Sequence, residues 1–66
     1  MSIAKVIEIH SEGKTIEAAT NAALLEASKT IDEIRSLYIE DIQAIVKDNK
    51  VDNYRINAKI TFVVKH

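Results

Sequence analysis

The sequence predicts an α+β fold of the order β-α-β-β, in which a three-stranded antiparallel sheet wraps on one helix. Three features of the 66 residues indicate this fold: a strand with strict alternation, a long amphipathic helix, and a tight turn between two strands. The alternation is the clearest of the three. Every second residue from Tyr54 to Val64 is apolar, and the residues between them up to Thr61 are polar. A period of two is typical of a strand with one face in a core, so Arg55 is expected to lie outside that core.

The first strand is predicted over Ile3–His10. Apolar residues occur on both of its faces, with Ile3, Ile7 and Ile9 on one and Ala4 and Val6 on the other. Such a pattern indicates a strand that is covered from both sides. The next four residues include Gly13, the only glycine of the chain, and predict a turn.

A helix is predicted from about Thr15 to about Ile34. Its apolar stripe recurs at steps of three, four and seven, through Ile16, Ala19, Ala23, Leu24, Ala27, Ile31 and Ile34. Thr15 is suited to the N-cap and Glu17 to the first turn. A second apolar line is formed by Ala18, Ala22 and Leu25. That line has two interpretations, namely high helix propensity or a packing seam against another subunit.

Two strands joined by a tight turn complete the chain. The second strand is predicted over Leu37–Val46, with a change of phase near Asp41 that a β-bulge would produce. The segment 47–50 predicts the turn, because Asp and Asn tolerate the backbone angles that such turns require. The third strand follows over Val51–Lys65. No linker or repeat interrupts the pattern, so residues 1–66 are expected to form a single domain.

The composition excludes several classes of function. The net charge is -1, and no basic block suggests nucleic-acid binding. No apolar run approaches the roughly 20 residues of a membrane span, and no secretion signal is recognised, so a cytoplasmic location is expected. The chain has no cysteine, which excludes disulfides and thiolate zinc sites.

No catalytic constellation is recognised, and the chain is not expected to be an enzyme. Glu40 and Asp41 are adjacent carboxylates, but neighbours on a regular strand point to opposite faces and cannot act as a paired acid and base. Asp48, Asn49 and Asp52 could offer oxygen ligands to calcium, although turn chemistry explains the same residues.

Self-association is the expected route to stability. A domain of this size buries only about 60% of its unfolded surface, and small domains without disulfides or metals usually oligomerise. One helix covers one face of the sheet, while the other face would expose aliphatic side chains. The sequence therefore predicts a homo-oligomer.

The chain resembles the dodecins, small proteins that form hollow twelve-subunit shells and bind flavins. The resemblance covers nearly the whole chain and depends on the order and spacing of several segments. These are the opening run 5–9 followed by Ser11, the alanine-rich helix 18–27 with Lys29 and Thr30, Ile42, Asp48, and the strand 54–62. The resemblance implies assembly into a hollow dodecamer with a flavin (riboflavin, FMN or FAD) as the cofactor.

The flavin site that the resemblance implies departs from the family pattern. In the family, a tryptophan just after the helix stacks on the isoalloxazine ring and a glutamine early in the last strand hydrogen-bonds the ring edge. Alignment without gaps places Ser36 at the tryptophan position and Arg55 at the glutamine position. Aromatic stacking contributes about 1–3 kcal/mol per contact, so loss of a tryptophan on each side of the ring weakens binding by roughly two to four powers of ten.

Two interpretations of these positions remain open. In the first, Ser36, Tyr38 and Arg55 line a remodelled pocket for an anionic or smaller ligand, since a guanidinium can stack on a ring or grip an anion. In the second, Arg55 pairs with an acidic residue of a neighbouring subunit and closes the pocket. The expected function is therefore a small-ligand binding and sequestering shell of the flavin type. The alternative is a structural or ion-stabilised cage, with calcium as the candidate ion and no organic ligand.

Overall fold

The computed structural model describes residues 2–65, with the side chains of residues 3–64, and its four elements follow the predicted order. Strand β1 covers Ser2–Gly13 and helix α1 covers Ile16–Ser28. Strand β2 covers Ile34–Lys47 and strand β3 covers Lys50–Lys65. The predicted β-α-β-β topology is confirmed, and each strand is longer than the sequence pattern indicates.

The sheet is antiparallel, with β3 between β1 and β2. Ile60 of β3 pairs with Ile7 of β1 and with Leu37 of β2, so these three side chains share one face. That face packs on α1, because Ile56, Ala58 and Ile60 are all fully buried. The alternation that defines the last strand is therefore confirmed, and its apolar residues form the centre of the core.

The start of α1 is fixed to the end of β1 by close contacts. Thr15 is the N-cap, and its Oγ1 accepts a hydrogen bond from the backbone N–H of Ala18 at 2.9 Å, as the sequence predicted. The Ser11 hydroxyl donates to the carbonyl oxygen of Ala19 at 2.6 Å. A side chain at Gly13 would place its Cβ 2.5 Å from the backbone nitrogen of Ala19. Only glycine leaves room for the helix to approach the strand so closely.

The buried face of α1 consists of small residues. Ala19, Ala23 and Ala27 are the buried residues of the helix, and Ala19 packs with Ile56 and Ala58. The second apolar line lies on the exposed side, where Leu25 keeps 67% of its surface accessible. Both interpretations of that line, helix propensity and a seam between subunits, stay predictions.

The helix ends at Ser28, so the prediction that it continues to about Ile34 is wrong. Lys29 is the C-cap, and the N–H groups of Thr30 and Ile31 both donate to the carbonyl of Ala27 in a closing turn. Thr30 and Ile31 are β-branched, which lowers helix propensity at this point. The apolar spacing in the sequence continues past the end of the helix because Ile34 is the first residue of β2 and contributes to the sheet.

The bulge and the turn were both predicted correctly. The register of β2 against β3 shifts between Ile39 and Asp41, which leaves Glu40 as an extra residue in β2. The hairpin turn places Asp48 at φ 54° and Asn49 at φ 62°. Positive φ values at both central residues are the geometry that favours Asn and Asp in two-residue hairpins.

The strands are much longer than the helix that covers them. Thirteen helical residues span about 20 Å, whereas the sixteen residues of β3 span about 53 Å. The hairpin end of the sheet therefore extends past the helix. Val46 and Val51 at this end are 61% and 53% exposed, and Ile42 is 52% exposed.

The shape of a single chain departs from that of a compact monomer. Its extents are 52 × 19 × 12 Å and its radius of gyration is 13.8 Å, where a compact chain of this length has about 11 Å. Its accessible surface is 4867 Å², against about 4200 Å² for a compact monomer of 7.4 kDa. The excess surface is consistent with the predicted need for partner subunits.

Candidate functional site

The candidate site lies on the face of the sheet that α1 leaves uncovered, which we call the helix-free face. On β3 this face carries the alternate residues between the buried ones, namely Arg55, Asn57, Lys59, Thr61 and Val63. The register places Glu12 of β1 and Gln43 of β2 on either side of Arg55. Arg55 therefore leaves the core, as its position in the alternating run predicted.

Arg55 forms an ion pair with Glu12 of the same chain. Its Nε and Nη2 atoms donate to Glu12 Oε1 at 3.2 and 3.0 Å. Asn53 Nδ2 donates to the same oxygen at 3.4 Å. The two charged side chains are each about half exposed, at 50% and 49%. The acidic partner is thus in the same chain, where the sequence interpretation named a neighbouring subunit.

Ser36 and Tyr38 lie on the same face as Arg55, but near the other end of the sheet. Tyr38 pairs with Lys59, and Ser36 pairs with Thr61. Tyr38 is 66% exposed, so its ring is free to contact another molecule. Four residues of β3 separate the Tyr38 position from Arg55 and six separate the Ser36 position, which correspond to about 13 and 20 Å. One chain therefore does not bring the three predicted residues together around one small ligand.

Between these two ends, a second group of charged residues occupies the helix-free face. Lys59 Nζ lies 3.2 Å from Glu40 Oε2, and Asn57 Nδ2 donates to Asp41 Oδ2 at 3.4 Å. Glu40 and Asp41 both reach this face because Glu40 is the extra residue of the bulge, so the expectation that they point to opposite faces is wrong. The hydrogen bond to Glu40 and the charge of that residue hold the pKa of Lys59 above its usual 10.5, and Glu8 adds to the effect.

Two of the open clefts formed by the described residues border the sheet. One, of about 380 Å³, is lined by His10, Ser11, Glu12 and Arg55. The other, of about 410 Å³, lies at the opposite end, between the segment that follows α1 and the last residues of β3. It is lined by Thr30, Ile31, Asp32, Glu33, Phe62, Val63 and Val64. The first cleft contains a predicted site residue, Arg55, and the second contains none.

The residues considered for calcium have other contacts or roles. Asp48 and Asn49 form the hairpin turn, while Asp52 Oδ1 lies 3.8 Å from Lys14 Nζ. Among residues 2–65, no group of three or more His, Cys, Asp or Glu side chains is arranged to hold a metal ion. Calcium binding stays a prediction of the sequence.

Glu12 is the contributor to the site that the sequence analysis missed. It falls in a segment that the sequence assigned to a turn, whereas β1 continues through Gly13. Glu12 and Arg55 are 43 positions apart in the sequence. Their opposite charges would therefore have suggested an ion pair only if the register of β1 against β3 had been known.

In the part of the chain that the structure describes, no helix is long and apolar enough to cross a membrane.

The fold places the chain in a class of small β-α-β-β proteins. Comparison with known proteins identifies the family within this class. A sequence profile of the dodecin family matches residues 3–65. The chain therefore belongs to the dodecin family, as the resemblance predicted. A search of curated proteins found no match.

Solved structures of dodecins share this fold. A dodecin mutant from Thermus thermophilus superposes with a TM-score of 0.91 at 22% identity, covering 100% of both chains. The dodecin from Streptomyces davaonensis gives 0.88 at 14% identity, covering 98% of this chain and 97% of its own. The dodecin from Streptomyces coelicolor gives 0.89 at 17% identity, with 98% and 94% covered. At these identities the likeness concerns the fold alone.

Proposed function

We propose that this chain is a small-ligand binding and sequestering shell protein that assembles from twelve copies of itself and holds a flavin-type ligand between copies. The observation that carries the proposal is the placement of Ser36, Tyr38 and Arg55 on the helix-free face, which a single chain leaves open. Membership of the dodecin family supports the ligand class and the assembly.

The geometry favours a pocket that two copies build together. The positions of Ser36 and Arg55 are about 20 Å apart along one sheet, which is too far for one planar ring to contact both. A second copy in the opposite orientation would bring its Arg55 to the Tyr38 end of the first. Symmetric oligomers pair the same surface in this manner. The exposed ring of Tyr38 is then the flat surface available for stacking, in place of the tryptophan that the chain lacks.

Fluorescence titration of riboflavin and FMN tests the proposal. Purified protein is expected to quench flavin fluorescence, and Tyr38→Ala and Arg55→Ala are expected to weaken the quenching while the mass of the assembly is unchanged. Ser36→Trp restores an aromatic surface and is expected to tighten binding by roughly two to four powers of ten. Ser28→Trp introduces the same residue at the exposed end of α1, away from the helix-free face, and is the matched control.

The second candidate function is a structural cage with no organic ligand. The ion pair between Glu12 and Arg55 favours it, because Glu12 neutralises the charge of Arg55 within the chain. In that case the protein stays assembled and no variant quenches flavin, including Ser36→Trp. Loss of the assembly on chelation would identify an ion-stabilised cage. If the natural sequence takes up no ligand and Arg55→Ala lowers the mass of the assembly, Arg55 has the structural function.

A further inference from the structure

The pair of Glu12 and Arg55 leaves one hydrogen-bond acceptor open. All three hydrogen bonds to the carboxylate end on Oε1, two from Arg55 and one from Asn53. Glu12 Oε2 accepts no hydrogen bond from the residues that the structure describes. A carboxylate has about four acceptor positions over its two oxygens, so Oε2 can accept a bond from a ligand N–H.

The guanidinium of the same pair leaves donors open. Arg55 carries five N–H groups in a fixed plane, and only Nε and Nη2 contact Glu12. Within residues 2–65, nothing accepts from Nη1. The side chain is half exposed and borders the cleft of about 380 Å³. The two residues that line this cleft together therefore keep an open donor, on Arg55, and an open acceptor, on Glu12.

The charges of the pair decide which ligand suits it. Arg55 alone would attract a phosphate or carboxylate, but Glu12 neutralises it and would repel an anion brought to the same edge. A neutral ring edge with a carbonyl beside an N–H faces no such repulsion. Its carbonyl can accept from Arg55 and its N–H can donate to Glu12. The carboxamide of a single glutamine would present the same neighbouring donor and acceptor.

We propose that Glu12 is a specificity-determining residue, which together with Arg55 selects a neutral ligand carrying an imide or lactam edge over an anion. The inference rests on the proposed function, because it names the ligand chemistry of that same site. It narrows the sequence interpretation, which allowed an anionic ligand at Arg55.

Binding of riboflavin and of riboflavin methylated at the imide nitrogen N3, measured on the assembled protein, tests this role. The natural sequence is expected to prefer riboflavin by about tenfold, as one hydrogen bond to a charged group would give. Glu12→Gln keeps the size of the side chain, but its single oxygen turns to Arg55 and its NH₂ faces the ligand N–H. The preference is therefore expected to disappear, and pyrophosphate is expected to begin competing with riboflavin.

A double variant and a control separate recognition from a structural effect. Glu12→Ala combined with Arg55→Gln places a glutamine at the Arg55 position and is expected to restore the preference for riboflavin. Glu26→Ala also removes one exposed carboxylate from an ion pair, with Lys29 at 2.9 Å on α1, and is expected to change nothing.

The outcomes distinguish the inference from the proposed function. If riboflavin binds but Glu12→Gln keeps the tenfold preference, or if the natural sequence shows none, the role of Glu12 is overturned and the binding function stands. If neither the natural sequence nor Ser36→Trp binds riboflavin in an intact assembly, the binding function and the role of Glu12 are both overturned.

Discussion

Substitution of Gly13 by alanine tests the close approach of β1 and α1 most directly. The new Cβ would lie 2.5 Å from the nitrogen of Ala19 and 2.8 Å from the carbonyl carbon of Ala18. Backbone atoms cannot rotate away, so the first turn of the helix must move off the strand. Overpacking of this kind costs about 1–3 kcal/mol, and loss of the hydrogen bond from Ser11 to Ala19 adds about 1 kcal/mol. Reduced freedom of the unfolded chain offsets about 0.4–1 kcal/mol.

The expected net result is a loss of about 1–3.5 kcal/mol in the free energy of unfolding for Gly13→Ala. Urea denaturation followed by circular dichroism measures this loss. All samples are compared at one protein concentration, since the proposed assembly would make stability depend on concentration. Ser11→Ala is the matched control, since it removes the hydrogen bond without the clash, and about 1 kcal/mol is expected. A Gly13→Ala protein as stable as the natural sequence would refute the argument that this contact holds the helix to the sheet.

Three further results are expected. Val46→Asp should reduce the mass of the assembly seen by sedimentation, because Val46 is 61% exposed in a single chain and is free to pack against another copy; an unchanged mass would speak against a role for the hairpin end. Asn49→Val should lose roughly 1–2 kcal/mol in urea denaturation, since a β-branched residue is strained at φ 62°, whereas Asn49→Gly should keep full stability. Glu40→Gln should lower the pKa of Lys59 in an NMR titration, because Glu40 raises it above 10.5. Because the pKa of Lys59 is raised in the folded state, the Lys59–Glu40 pair contributes fully to stability below about pH 10.5. This contribution is lost as the pH rises through the folded-state pKa of Lys59. A dependence of stability on pH that is the same in Glu40→Gln as in the natural sequence would contradict this argument.

The parts of the fold that follow from local pattern could be predicted from the sequence. Alternation located β3 and its buried face, and the change of phase near Asp41 located the bulge at Glu40. Asp48 and Asn49 marked the turn because few other residues accept its backbone angles. In each case the signal lies within a few residues of the feature it predicts.

The features that depend on distant contacts could not be predicted in the same manner. The apolar stripe of α1 continued past Ser28 because Ile31 and Ile34 are half-buried although the helix has ended. Periodicity alone does not distinguish such residues from helical ones. Arg55 was correctly placed outside the core, but its partner Glu12 depends on the register between β1 and β3. The surface that a single chain leaves open is visible only once the lengths of the helix and the strands are compared.

The central claim is that one copy of this chain exposes more apolar surface than a stable monomer tolerates, so that copies close into a shell whose contacts build the ligand site. Sedimentation velocity of the purified protein across a range of concentrations measures this directly. We expect one species of about 89 kDa, twelve times the 7.4 kDa chain. A folded species of 7.4 kDa that stays monomeric at all concentrations would contradict the claim and remove the proposed site with it.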